Sequence, residues 1–136
     1  MDDLSAIGKI AASGMRAQSE RLRVTAENMA NAESTGSTPG SDPYRRKVVT
    51  FDSVLDSKTG ANTVQVSDVT EDPSDFRLSY EPGHPAADEA GYVKKPNVNP
   101  LVELANMREA TRSYEANLNM LDAGRTMRGQ LIEMLN

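Results

Sequence analysis

The sequence predicts a mainly α protein with a small β insert, and three observations carry that prediction. Residues 99–136 repeat apolar side chains every three to four positions, with a single proline at the second position. Residues 3–31 carry a similar repeat with no proline. Residues 32–98 hold five of the six aromatic residues, the loop-forming compositions and the short alternating runs. The expected architecture is two long terminal helices forming an antiparallel coiled-coil-like pair, with short β-hairpin or extended segments between them. The expected division is a terminal helical assembly domain, 1–31 plus 99–136, and a β-containing insert, 32–98.

The C-terminal helix has a readable start. The Asn99 side chain suits an N-cap, where its oxygen accepts an orphan backbone N–H, and Pro100 suits the first helical position. Leu104, Met107, Ala110, Tyr114, Leu118, Leu121, Met127, Leu131 and Leu135 recur at mostly three- and four-residue steps, which assigns them to one face. Such a helix is about 54 Å long at 1.5 Å per residue. It is too long to be covered by a compact domain of this size, so it needs a partner along its length.

The N-terminal helix carries Leu4, Ile7, Ala11, Met15, Leu22, Ala26 and Met29 as its stripe, with polar Gln18 on the same line. Ile10, Ala17 and Val24 form a second seam. Ala11, Ala12, Ser13 and Gly14 are small for a helix interior, and Gly14 costs about 1 kcal/mol against Ala. A backbone approached closely by another helix explains that choice. After it, residues 32–43 read as a loop, 45–51 as a strand, 52–62 as a turn-rich link, 63–69 and 76–80 as alternating strands, and Tyr92 with Val93 as a short extended piece.

Charge and composition exclude several classes of function. The net charge is −5, divided as 0 in 1–31, −4 in 32–98 and −1 in 99–136. No segment is strongly basic, so a nucleic-acid footprint is absent. Both ends are nearly neutral with mixed signs, which lets copies lie side by side. There is no cysteine, hence no disulfide framework or thiol nucleophile. No run approaches the roughly 20 apolar residues of a membrane span, and no secretory signal is visible, so export needs another route.

No constellation for catalysis or cofactor binding appears. His84 is the single histidine, between Pro82-Gly83 and Pro85, and reads as part of a rigid exposed turn. Glu71, Asp72 and Asp75 around Pro73 lack calcium-loop spacing and read as a solvated turn. Arg45, Arg46 and Lys47 are too few for a phosphate patch, and read as a charged strand edge or a subunit salt contact. No enzyme, metal or cofactor is expected.

Two terminal motifs add a resemblance. Ala12 to Gln18, Arg21-Leu22 and Ala26 to Ala32 resemble the N-terminal signature of flagellar rod and hook axial proteins. Asn97 to Glu103 and Glu109 to Asn117 resemble their C-terminal signature. In the middle, Asp42 to Lys47, Glu71 to Pro73, Pro82 to Ala86 and Gly91 to Lys94 are similar to the proximal-rod C-type branch. The resemblance implies a structural subunit of the bacterial flagellar basal body, exported through the flagellar type III apparatus and assembled in the periplasm into a torque-transmitting rod. Its implied partners are copies of itself, other rod subunits, the base ring of the motor and the export apparatus, with no nucleic acid and no membrane insertion. The expected assembly interface is Leu4, Ile7, Ala11, Gly14, Met15, Leu22 and Met29 on the first helix. On the second it is Leu104, Met107, Tyr114, Leu118, Leu121, Leu131 and Leu135. The competing readings are another axial paralogue and a coiled-coil adaptor of a type III secretion system that does not polymerise.

Overall fold

The computed structural model describes residues 2–136. In chain order it has helix α1 (Asp2–Ala30), strands β1 (Lys47–Leu55), β2 (Asn62–Glu71), β3 (Arg77–Tyr80) and β4 (Tyr92–Lys95), and helix α2 (Pro100–Leu135). The strands form two separate two-stranded sheets, β1 with β2 and β3 with β4. The α2 start follows its cap: Asn99 Oδ1 accepts from Leu101 N at 3.0 Å and Asn99 O from Glu103 N at 3.0 Å.

By compactness the chain divides into two units. The first comprises Met1–Leu22, Val49–Asp68 and Arg108–Asn136. Here α1 and α2 meet at small residues. A Cβ on Gly14 would lie 2.7–2.9 Å from the Asn117 side chain, one on Gly8 would lie 3.9 Å from Leu121, and one on Gly124 would lie 3.7 Å from Ile7. Arg21 Nη2 donates to Glu109 Oε2 at 3.3 Å. The glycine in the N-terminal helix thus admits a neighbouring helix, and that helix is this chain's own α2. The β1–β2 hairpin lies against α1 through Ser13, whose Oγ accepts from Val64 N at 3.2 Å and donates to Ile10 O at 2.8 Å.

The expected turn over 52–62 is shorter than the sequence suggests. β1 continues through Asp52 to Leu55, and the reversal is confined to 56–61, where Asp56 N donates to Ala61 O and Gly60 N to Asp56 O, both at 2.8 Å. Asp52 and Ser53 are poor strand formers, but pairing with β2 carries them: Thr63 Oγ1 donates to Val54 O at 3.0 Å.

The second unit comprises Arg23–Val48 and Val69–Met107. β3 and β4 run antiparallel with Tyr80 opposite Tyr92, and their rings meet edge to face at 5.3 Å. Gly91 closes this hairpin at φ 87°, with the Tyr80 ring 2.8 Å from where a Cβ would stand, so neither the backbone angle nor the space admits a side chain.

Asn28 anchors α1 in this unit. Its side-chain amide treats Lys47 as a strand neighbour would, donating to Lys47 O and accepting from Lys47 N, each at 2.9 Å, while Tyr44 OH donates to its Oδ1 at 2.7 Å. Below it, Arg46 Nε donates to buried Glu103 on α2 and Arg46 Nη1 reaches Asp72 Oδ2 at 3.3 Å. Asn97 completes the node, accepting from Arg46 N at 2.7 Å and donating to Asp72 O at 3.0 Å.

The core is built from small and polar side chains. Among the described residues the largest fully buried ones are Glu103, Val24, Val93, Val98, Asn28 and Pro96. No leucine, isoleucine, methionine or aromatic residue is among them. The large apolar side chains lie half-buried or at the surface.

Candidate assembly surface

The helix faces decide which apolar residues are free for partners. Among the residues expected at an interface, Ala11 and Gly14 are buried within the chain. Leu4, Ile7, Met15, Leu22, Met29, Met107, Tyr114 and Leu121 are half-buried, and Leu104, Leu118, Leu131 and Leu135 are exposed. The nine-residue stripe expected on α2 is therefore divided. Residues covered within the chain are Ala110, Tyr114, Asn117, Leu121 and Gly124, at alternating steps of four and three. That alternation holds a straight line along a helix. The steps of four from Ala110 through Tyr114 to Leu118 gain about 40° each, so Leu118 has rotated away from the line.

What remains outward on α2 is extensive. Leu101 is 77% exposed and Met134 81%, with Leu104, Leu118, Met120, Met127, Leu131, Ile132 and Leu135 also exposed. These side chains lie on more than one side of the helix, Leu118 and Met127 being about 180° apart at 100° per residue. The small and polar contributors to the fold were not legible. Asn117, Gly124, Ser13, Asn28 and Glu103 interrupt apolar periodicity, and only their three-to-four spacing within the stripes could have flagged them.

Two sequence expectations are corrected, and a third group is more fully engaged than expected. Arg45, Arg46 and Lys47 each have partners within the chain. Arg45 lies 4.1 Å over the Phe76 ring and Lys47 Nζ reaches Glu27 Oε1 at 2.6 Å, beside the Arg46 node. Asp72 is not part of a solvated turn. Hydrogen bonds from Ser74, and then from Arg46, hold its carboxyl below the usual range. Its neighbours Glu71 and Asp75 remain exposed. His84 is half-buried rather than exposed, with Nδ1 accepting from Ala86 N at 2.9 Å and Nε2 3.3 Å from Thr35 Oγ1.

Electrostatics reinforce these anchors. The Lys47 hydrogen bond lowers Glu27, and the Lys9 ammonium at 2.9 Å lowers Asp56. Burial, with Glu27 and Glu103 nearby, pushes the Tyr44 hydroxyl up to about 12. Burial opposes the charge on Arg46, and its bonds to Glu103 and Asp72 outweigh that and raise it. Among the described residues no group of three or more His, Asp or Glu side chains is placed to hold a metal ion. No helix among the described residues is long and apolar enough to cross a membrane.

Comparison with known proteins shows the family. Residues 89–134 match the family model described as flagellar basal body rod FlgEFG protein C-terminal, which gives the class, a flagellar basal-body rod protein. The chain is 55% identical to the flagellar basal-body rod protein FlgC of Agrobacterium fabrum, over 99% of this chain and 97% of the relative. It is 47% identical to that of Escherichia coli O6:H1, over 87% of each, and 39% identical to that of Bacillus subtilis, over 92% and 93%. The chain belongs to the FlgC family of flagellar basal-body rod proteins.

Proposed function

We propose that this chain polymerises through its two terminal helices to form the proximal rod of the bacterial flagellar basal body, the shaft that carries motor torque outward. The role is structural and not catalytic. The observation that carries the reading is the number of exposed apolar side chains on α2, from Leu101 to Leu135, in a chain whose own core closes over small residues. Fully burying a leucine is worth roughly 1.5–3 kcal/mol, and a rod repeats the gain at every subunit.

The two helices act as an antiparallel coiled-coil-like pair. The contacts of Ile7 with Gly124, Gly8 with Leu121, Gly14 with Asn117 and Arg21 with Glu109 support this, since the numbers rise on α1 as they fall on α2. Residues 1–31 with 99–136 then serve as the assembly core and 32–98 as the insert. Leu104, Leu118, Leu131 and Leu135 contribute the apolar contact, with half-buried Leu4, Met15, Leu22, Met29 and Met107 adding to it, while Ile7, Ala11, Gly14, Tyr114 and Leu121 hold the pair beneath it. The subunit travels through the flagellar export apparatus, is placed in the periplasm, and meets copies of itself, other rod subunits and the base of the motor.

Leu118→Asp tests this directly, because Leu118 is 39% exposed and lies off the line that α1 covers. The variant is expected to be folded by circular dichroism, yet to leave cells non-motile and without intact basal bodies. Normal basal bodies in normal number would overturn polymerisation through α2.

A further inference from the structure

The first unit contains an open cleft of about 500 Å³ walled by α1, α2 and the end of the β1–β2 hairpin. Its lining is small and apolar at Gly8, Ala12 and Gly124, and cationic at Lys9, Arg16, Arg125 and Arg128. Among the described residues its single lining carboxylate, Asp56, is taken by Lys9 at 2.9 Å. The three arginines make no ion pair among the described residues. Three unneutralised guanidinium groups around an apolar floor suit an occupant that is apolar and anionic at once.

The same unit carries a feature with that chemistry. α2 continues eleven residues beyond Gly124, where Ile7 meets it, to Leu135. Leu131, Ile132, Met134 and Leu135 are exposed there. The last turn has no basic residue, so Glu133 and the negative end of the helix dipole are left uncompensated. A continuous helix cannot fold back on itself, so this tip is available only to another molecule.

We propose that the α2 tip of one copy docks in the cationic cleft of a second copy, head to tail, with Glu133 against the arginines and the apolar residues on the floor. The occupant is chosen by charge complementarity and by the apolar match of two surfaces on one chain. Such a heterologous contact uses two different patches and therefore propagates rather than closing on itself. The proposal rests on the rod reading above and gives it a directional joint.

The chain has no cysteine, so engineered pairs report cleanly. One preparation of the full chain carries Ser5→Cys at the cleft and another carries Met134→Cys on the tip. Mixed and oxidised at raised concentration, they are expected to give a crosslinked heterodimer in greater yield than either preparation alone gives homodimer. Adding Arg125→Glu and Arg128→Glu to the cleft copy should lower the yield about tenfold, equivalent to ~1.4 kcal/mol. Adding Glu133→Arg to the tip copy should restore it. Both arginines are exposed, and unchanged helical circular dichroism checks that the reversal leaves the fold intact. No heterodimer, homodimers in equal yield, or a reversal without effect or without rescue would overturn the docking. A strain lacking the chain separates the two readings. Rods that persist without the chain overturn the rod reading. Rods that need the chain but tolerate Arg125→Glu with Arg128→Glu overturn only the joint.

Discussion

Gly14 shows how one missing methyl sets the spacing of two helices. A Cβ there would stand 2.7–2.9 Å from three atoms of Asn117, whose amide is itself tied to Ser113 O at 2.9 Å. Moving Asn117 aside costs that bond as well as its position. Gly8 and Gly129 sit on the same pair of helices without this constraint, since a Cβ would meet Leu121 at 3.9 Å in one case and open space in the other. Helix propensity favours Ala over Gly by about 1 kcal/mol, so Gly8→Ala should raise the urea midpoint. Gly14→Ala should lower it despite the same propensity gain, and Asn117→Ala in the same chain should recover most of the loss. A Gly14→Ala protein as stable as the Gly8→Ala protein would show that the helices part at little cost.

At the scale of the element, α2 is a helix with two characters. From Glu103 to Gly124 one side is covered, through Ala110, Tyr114, Asn117 and Leu121. From Arg125 to Asn136 every residue is exposed. Isolated helices shorter than about 12–15 residues are marginal in water, and packing supplies most helix stability. Amide exchange on a verified monomer should therefore be slow over 103–121 and fast over 127–135, with the fast segment becoming protected in assembled rods. Equal protection of both segments in the monomer would mean that α2 does not depend on α1 for its order. α1 has a different balance, because both the α2 side at Gly14 and the hairpin side at Ser13 are buried.

For the whole molecule, polar anchors replace a large apolar core, and that makes stability depend on pH. Glu27, Asp56 and Asp72 all titrate below their ordinary values, through Lys47, Lys9 and Ser74 respectively. The unfolded chain then binds more protons than the folded one in acid. Stability is complete above the ordinary values, 4.5 for Glu27 and 3.8 for the aspartates, and is lost as pH falls below them. Tyr44 has the opposite sign. Its raised value means the folded chain holds the proton longer, so stability is complete below the ordinary 10.0 and falls as pH climbs toward about 12. Urea midpoints should be flat at neutral pH and decline at both extremes, and Tyr44→Phe should lessen the alkaline decline. A midpoint that does not change on acidification below pH 3.8 would show that these carboxylates contribute nothing to folding.

Much of this protein was decided locally and so could be read in the sequence. The Asn99–Pro100 cap, the lengths of both helices and the alternation of β2 all depend on neighbours within a few residues. The terminal motifs, from Ala12 to Ala32 and from Asn97 to Asn117, carried the family as well. Tertiary structure alone decided which face of each helix turns inward. Ala110, Tyr114 and Leu118 differ from Ala110, Tyr114 and Asn117 by one residue in spacing and by about 100° in direction. Apolar periodicity pointed to Leu118, and packing against Gly14 selected Asn117. The partners of Arg46, separated from Glu103 by 57 positions, and the two-point grip of Asn28 on Lys47 lay equally beyond local pattern. A buried charge or amide is tolerated only where distant residues supply its hydrogen bonds, and the chain must fold before those residues are neighbours.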